Sequence, residues 1–165
     1  MIDRPHLELS EYLPYLINRV GSALVERMEQ DLARHGLSIA MWRVLASLSE
    51  SGKLRQIDIA GMTAIEVSTM SRLITRIVRM GLVTRTRSDT SNREVTVELT
   101  QKGRALVNEL IPVARNLELA AVSGLSIADL AVTRDCLRQM YFNIAPHQDQ
   151  LAEPARSTSE AFQAE

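Results

Sequence analysis

The sequence predicts a mainly α-helical chain with one small β-hairpin. Two observations carry most of this. Apolar residues recur at spacings of three and four through long stretches of the 165 residues. A period of two appears instead in two neighbouring runs, Leu82-Val83-Thr84-Arg85-Thr86-Arg87 and Glu94-Val95-Thr96-Val97-Glu98-Leu99, with Asp89-Thr90-Ser91-Asn92 as the turn between them. A third observation fixes how they join: the helix before the hairpin stops at Gly81, as glycine does at a left-handed cap.

Taken in order, residues 1–9 have no period and form an arm. Ser10 is placed to cap a helix running to about His35, with Leu13, Leu16, Ile17, Val20, Leu24, Met28 and Leu32 as its stripe. Pro14 falls in the first turn, where a missing N–H is tolerated, and Gly36 ends the helix. Ser38 caps a second helix, whose buried side is Met41, Trp42, Val44, Leu45 and Leu48. After the Ser51-Gly52 turn, Leu54 to Gly61 is expected as a short helix and Met62 to Glu66 as a tight connection. The next helix, Val67 to Met80, sets Val67, Met70, Leu73, Ile74, Ile77 and Val78 on one face at spacings of three and four. Beyond the hairpin, Thr100 caps a helix that Pro112 should kink or divide, and Gly124 ends it. Ser126 with Asp129 opens a last helix in the manner of a capping box, with Ile127, Leu130, Leu137, Met140, Tyr141 and Ile144 on its apolar face. From Pro146 the composition turns polar and acidic and predicts a flexible tail.

The chemistry concentrates on the helix Val67–Met80. Its polar face carries Ser68, Thr69, Ser71, Arg72, Thr75, Arg76 and Arg79 and no carboxylate. Arginine bonds bidentately to guanine, and small hydroxyls reach bases or phosphates, so such a face suits the DNA major groove. Arg85, Arg87 and Arg93 on the hairpin are placed to reach the neighbouring backbone or minor groove. A solvated amphipathic helix beside an ordinary hairpin is the plainer reading of either element alone. Joined through Gly81, with acid absent from the helix face, they favour a winged helix-turn-helix.

Charge distribution agrees. The whole chain is at −1, yet Lys53 to Arg104 holds 10 Lys/Arg against 5 Asp/Glu, a local +5 in a chain whose remainder is at −6. Phosphate attraction depends on this local field, because salt screens beyond roughly 10 Å. Composition excludes other classes. The apolar content of 45% allows a sizeable core, mainly aliphatic given 4% aromatics. No signal-peptide pattern or bilayer-length apolar run is present, so a cytoplasmic protein without membrane contact is expected. The one cysteine, Cys136, rules out an internal disulfide, and its place at the margin of the last helix's stripe suggests a semi-buried structural residue. His6, His35 and His147 are scattered without ligand spacing, so no metal or cofactor is expected. No nucleophile stands with a plausible base, and no phosphate loop occurs, so the chain does not read as an enzyme.

The predicted architecture is a winged helix-turn-helix over 37–103, flanked by dimerisation helices over 10–36 and 104–145, with an arm at 1–9 and a tail at 146–165. The flanking helices are more apolar than a monomer needs and come from both chain ends, so they can meet in one layer. A symmetric dimer then reads a palindromic operator in double-stranded DNA, with half-sites about one helical turn apart. The alternative is a helical interaction module whose winged unit binds protein.

The order of elements and several strings resemble the MarR family of bacterial transcriptional regulators over about Ser10 to Ile144. The strings are Trp42-Arg43-Val44-Leu45, Thr69-Met70-Ser71-Arg72-Leu73-Ile74-Thr75-Arg76, Gly81-Leu82-Val83 and the wing pattern Asp89…Arg93…Leu99-Thr100…Gly103. The resemblance implies that Arg93 enters the minor groove, that Asp89 orients it, and that Ser68, Thr69, Ser71, Arg72 and Arg76 occupy recognition positions. Here Ser91-Asn92 precede Arg93 and Glu94 follows, where many members have basic runs. The resemblance also implies a repressor released by a small effector, a phenolic or aromatic carboxylate or an acyl-CoA ester, bound between the dimer layer and the winged unit. Tyr12, Tyr15, Asn18, Arg19, His35, Met41, Trp42, Arg43 and Met62 are the candidate lining, with a guanidinium for a carboxylate and aromatic rings for packing.

Overall fold

A computed structural model of the chain describes residues 7–87 and 95–145. The element order is α1 (Leu13–Ala33), α2 (Ile39–Ser51), β1 (Leu54–Arg55), α3 (Gln56–Thr63), α4 (Val67–Arg79), β2 (Val83–Arg87), β3 (Val95–Leu99), α5 (Gln101–Ala121) and α6 (Ile127–Ile144). This is the mainly helical winged architecture that the periodicity predicts.

The core gathers around α2, where Met41, Val44, Leu45 and Leu48 are sealed from solvent. Onto it pack Met28 and Leu32 from the end of α1, Ile59 from α3, and Met70, Ile74 and Ile77 from α4. Val83, Val97 and Leu99 of the sheet and Val107 and Leu110 of α5 complete it. Trp42 is half-buried against this cluster rather than enclosed by it. The first turns of α1 and the whole of α6 contribute nothing: Leu13, Leu16, Ile17 and Val20 are exposed, as are Ile127, Phe142 and Ile144. Arg134 ties α6 to Glu118 of α5 at 2.7 Å. Cys136, expected half-buried, is exposed in the single chain.

Four local expectations are corrected. Ser10 does not cap α1: its hydroxyl donates to Glu8 at 3.1 Å, and the helix starts after Tyr12 with Pro14 in the first turn. Leu54 and Arg55 are strand, not helix. They pair with Val97 and Thr96 on the edge of β3 that β2 leaves free, so the hairpin becomes a three-stranded antiparallel sheet of order β1-β3-β2. The helix-turn-helix connection is shorter than Met62–Glu66, because α3 continues to Thr63 and turns at Ala64. Pro112 does not divide α5, which runs unbroken over 21 residues. Pro112 and Asn108, whose carbonyl loses its partner, both stand on the exposed side, where water is available to it.

Ala64 is the one non-glycine at positive φ (+53°) among the described residues. A left-handed alanine costs about 1–2 kcal/mol, against about 0.5–1 kcal/mol for the extra freedom glycine loses on folding. Ala64→Gly is therefore expected to raise the urea midpoint, with a gain in stability of at most about 1.5 kcal/mol.

The capping box of α6 forms as predicted: the Ser126 hydroxyl accepts from the Asp129 N–H at 3.1 Å, and the Asp129 carboxylate accepts from the Ser126 N–H at 3.3 Å and its hydroxyl at 2.7 Å. These bonds favour the charged form and hold the Asp129 carboxyl below its usual range, the side-chain bond contributing most. A depressed carboxyl stabilises the fold at pH above its unfolded value, and that contribution fades as pH falls through the folded one. In an NMR titration Asp129 should titrate below an ordinary aspartate, and Ser126→Ala should move it up toward the ordinary range while the bond from the residue 126 N–H keeps part of the depression.

Candidate nucleic-acid interface

Helix α4 is shaped to show one polar face. Met70, Ile74 and Ile77 anchor it on the core, and Ser68, Thr69, Arg72, Arg76 and Arg79 come out on the far side, exposed. Ser71 and Thr75 lie at the border, half-buried, and the Thr75 hydroxyl donates to the Ser71 carbonyl at 2.8 Å. That bond uses the only Thr75 donor, leaving an acceptor there. Along the axis Arg72 and Arg79 are seven residues apart, roughly 10 Å, about three base pairs of groove.

Both ends of α4 are fixed. At the start, the Ile65 N–H reaches back to the Ala60 carbonyl at 3.1 Å, closing the turn from α3. At the end, Gly81 takes φ +71°, its N–H donates to the Val78 carbonyl at 2.8 Å, and the Leu82 N–H donates to the Ile77 carbonyl at 3.2 Å. That pair of bonds is a Schellman motif, which needs a left-handed residue at Gly81. Arg76 and Arg79 in the last turn face the negative end of the helix dipole.

The charges on this face are unspent. Among the described residues, Arg34, Arg55, Arg134 and Arg138 each hold an acid, whereas Arg72, Arg76, Arg79 and Arg85 form no ion pair. Arg85 leaves β2 opposite Val97 and is exposed. Arg87 is the last residue of β2, with its Cα opposite that of Val95. Asp89 and Arg93, the remaining wing candidates, lie outside the described residues, as does the Arg87 side chain. So the structure groups Ser68, Thr69, Arg72 and Arg76 on one exposed face, sets Ser71 and Thr75 at its edge, and places Arg85 on the adjoining sheet. Arg79 joins them. Its spacing of three from Arg76 and seven from Arg72 was the signal for it in the sequence.

The effector candidates lie on α1, on the turn after it, on α2 and on α3. Tyr12 and Tyr15 lie on the exposed first turns of α1, with the Arg19 guanidinium 5.8 Å from the Tyr15 ring centre. His35 stands 3.8 Å from Glu109 of α5, Trp42 packs on the core, and Met62 is exposed on α3. Asn18 and Arg43 of this set line a cleft of about 510 Å³, together with Gly21, Ser22, Val25, Glu26 and Glu29 of α1. The space beside Gly21 is open: a Cβ there would meet nothing within 4 Å.

The model of the MarR family matches residues 37–95 of this chain. The crystal structure of a MarR-family transcriptional regulator from Silicibacter pomeroyi is 30% identical, superposes with a TM-score of 0.79, and is matched over 87% of this chain and 99% of that one. The chain belongs to the MarR family. Two further relatives show what such MarR proteins do. The HTH-type transcriptional repressor IacR of Pseudomonas putida is 26% identical over 79% of this chain and 78% of its own length. BpsR of Bordetella bronchiseptica, whose DNA binding is regulated by 6-hydroxynicotinic acid, is 29% identical with a TM-score of 0.73, over 82% of this chain and 97% of that one. The MarR family is one of transcriptional regulators, and α3 and α4 with the β2–β3 hairpin are the winged helix-turn-helix of this member.

Proposed function

We propose that this MarR-family protein is a homodimeric transcriptional repressor that binds a palindromic operator and leaves it when a small effector binds. The observation that carries the reading is the outer face of α4, with three unpaired arginines and exposed hydroxyls on a helix without a carboxylate. Ser68, Thr69, Ser71, Arg72, Thr75 and Arg76 take the major-groove role, Arg85 and Arg87 the flanking backbone, and Arg93, oriented by Asp89, the minor groove. Residues 37–103 form the reading head, and 10–36 with 104–145 form the dimer layer. The unburied apolar residues of α1 and α6 support that layer: Ile127 is 89% exposed and Ile144 83%, more than an isolated chain keeps in water. As an operator-binding regulator it works in the cytoplasm.

The effector is an aromatic carboxylate or an acyl-CoA ester, the former supported by the relative that responds to 6-hydroxynicotinic acid. The cleft between α1 and Arg43 is its place, with the guanidinium taking the carboxylate. Release requires the effector to prefer one arrangement of the two reading heads, since equal affinity for both shifts nothing.

Footprinting on a duplex selected from a random pool by the purified protein tests this. A protected palindrome with half-sites about one turn apart, released by 6-hydroxynicotinate or another aromatic carboxylate or acyl-CoA, is the expected result. An unsymmetric single site would overturn the dimer, and no protection would overturn DNA reading.

A further inference from the structure

Three successive carbonyls just past the end of α4 are bonded to the first turn of α5. The Lys102 ammonium donates to the Met80 carbonyl at 3.0 Å. The Thr100 hydroxyl lies 2.8 Å from the Gly81 carbonyl and 3.2 Å from that of Leu82, and accepts from the Gly103 N–H at 3.0 Å. The Thr100 N–H donates to the Leu82 carbonyl at 3.0 Å. Gly103 lets the two segments close, because a Cβ there would sit 2.0 Å from the Leu82 carbonyl oxygen.

The Schellman motif already ends α4, using the carbonyls of Ile77 and Val78. The bonds to Met80, Gly81 and Leu82 are additional, and they come from a different helix. That helix, α5, buries Val107 and Leu110 in the core of the reading head and continues to Leu119, which is 66% exposed. It therefore spans from the end of α4 to the apolar surface assigned above to the dimer layer.

We infer that Thr100, Lys102 and Gly103 form a rigid joint that fixes the direction of the recognition helix against α5, so that the dimer layer sets the spacing between the two reading heads. Thr100 and Lys102 are positioning residues that touch no base. The one hydroxyl of Thr100 both caps α5 and ties it to the exit of α4, so turning α5 turns α4 with it. This inference rests on the DNA-reading dimer proposed above and adds where its stiffness resides.

The test measures binding of the full chain to the palindrome it selects from a random duplex pool, and to versions with the half-sites moved by one or two base pairs. The wild type should prefer its own spacing by roughly tenfold or more, since a moved half-site forfeits contacts. Thr100→Val, which removes the hydroxyl at nearly constant shape, should reduce that preference to within about threefold, and Thr100→Ser should restore it. Ser38→Ala is the control: it removes a similar cap on α2, where the Ser38 hydroxyl accepts from the Met41 N–H at 3.3 Å, and should keep the preference. Lys102 is exposed, so Lys102→Met is expected to fold even if Thr100→Val does not, and it should broaden the spacing too. Equal weakening at every spacing by Thr100→Val, or the same broadening by Ser38→Ala, would overturn the joint. So would a Lys102→Met variant whose salt slope drops by about two, one phosphate contact from each subunit, with spacing unchanged. A wild type that selects no palindrome overturns the proposed function itself, and the joint with it.

Discussion

Gly103→Ala is expected to destabilise the protein by about 3 kcal/mol. At an ordinary interior helix position the same change stabilises by about 1 kcal/mol, because alanine is the better helix former. Gly103 is inside α5 and has no positive φ, so propensity alone predicts a gain. Packing reverses the sign. The new methyl would lie 2.0 Å from the Leu82 carbonyl oxygen, 3.0 Å from its carbon and 3.2 Å from a Leu99 methyl. The first two are backbone atoms and cannot rotate away. Relief requires α5 to move away from Leu82, which also strains the Thr100 and Lys102 bonds. A lower urea midpoint, with helix content retained at low denaturant, is the expected outcome. An unchanged or higher midpoint would show that the approach of α5 to Leu82 is looser than the structure has it.

Arg72→Ala and Arg76→Ala should each leave folding within about 0.5 kcal/mol of wild type, since both side chains are exposed and unpaired. Their effect on DNA should be large. One bidentate contact to a base is worth about 1–3 kcal/mol, and a two-fold dimer loses two with each substitution. The expected loss is about 2–6 kcal/mol, roughly thirtyfold or more in Kd. The two residues share a face four apart, so the double variant need not be the sum. Band shifts on the selected palindrome, with thermal midpoints of the same preparations, check this. Normal binding by both variants would remove α4 from the base-reading role.

The sequence made α4 legible because one element carries every signal at once: apolar spacing of three and four for its buried side, Gly81 for its stop, and an acid-free outer face. The box at Ser126 and Asp129 was legible for a similar reason, being local chemistry over three residues. What escaped depends on partners distant in the chain. Leu54 and Arg55 are too few to show alternation, and they become strand only because β3 offers a free edge. Ser10 is the local exception: it looked like a cap, but Glu8, two residues away, takes its hydroxyl, and Pro14, preset for a first helical turn, sets the start of α1. The cleft at Arg43 is made by the crossing of α1 and α2, which periodicity does not encode. Gly21, Ser22, Glu26 and Glu29 therefore gave no sign of belonging to it. The closeness of Gly103 to Leu82 is likewise tertiary, although the run Leu99-Thr100…Gly103 was visible as a pattern.

The central claim is that this chain reads DNA sequence with α4 on a charged footing. Fluorescence anisotropy against the selected palindrome and a scrambled duplex, across a series of salt concentrations, tests it most directly. Both affinities should fall steeply and linearly on logarithmic axes as phosphate contacts release counterions. The palindrome should stay at least about a thousandfold tighter at physiological salt. Equal affinity for the two duplexes, or binding indifferent to salt, would contradict the account.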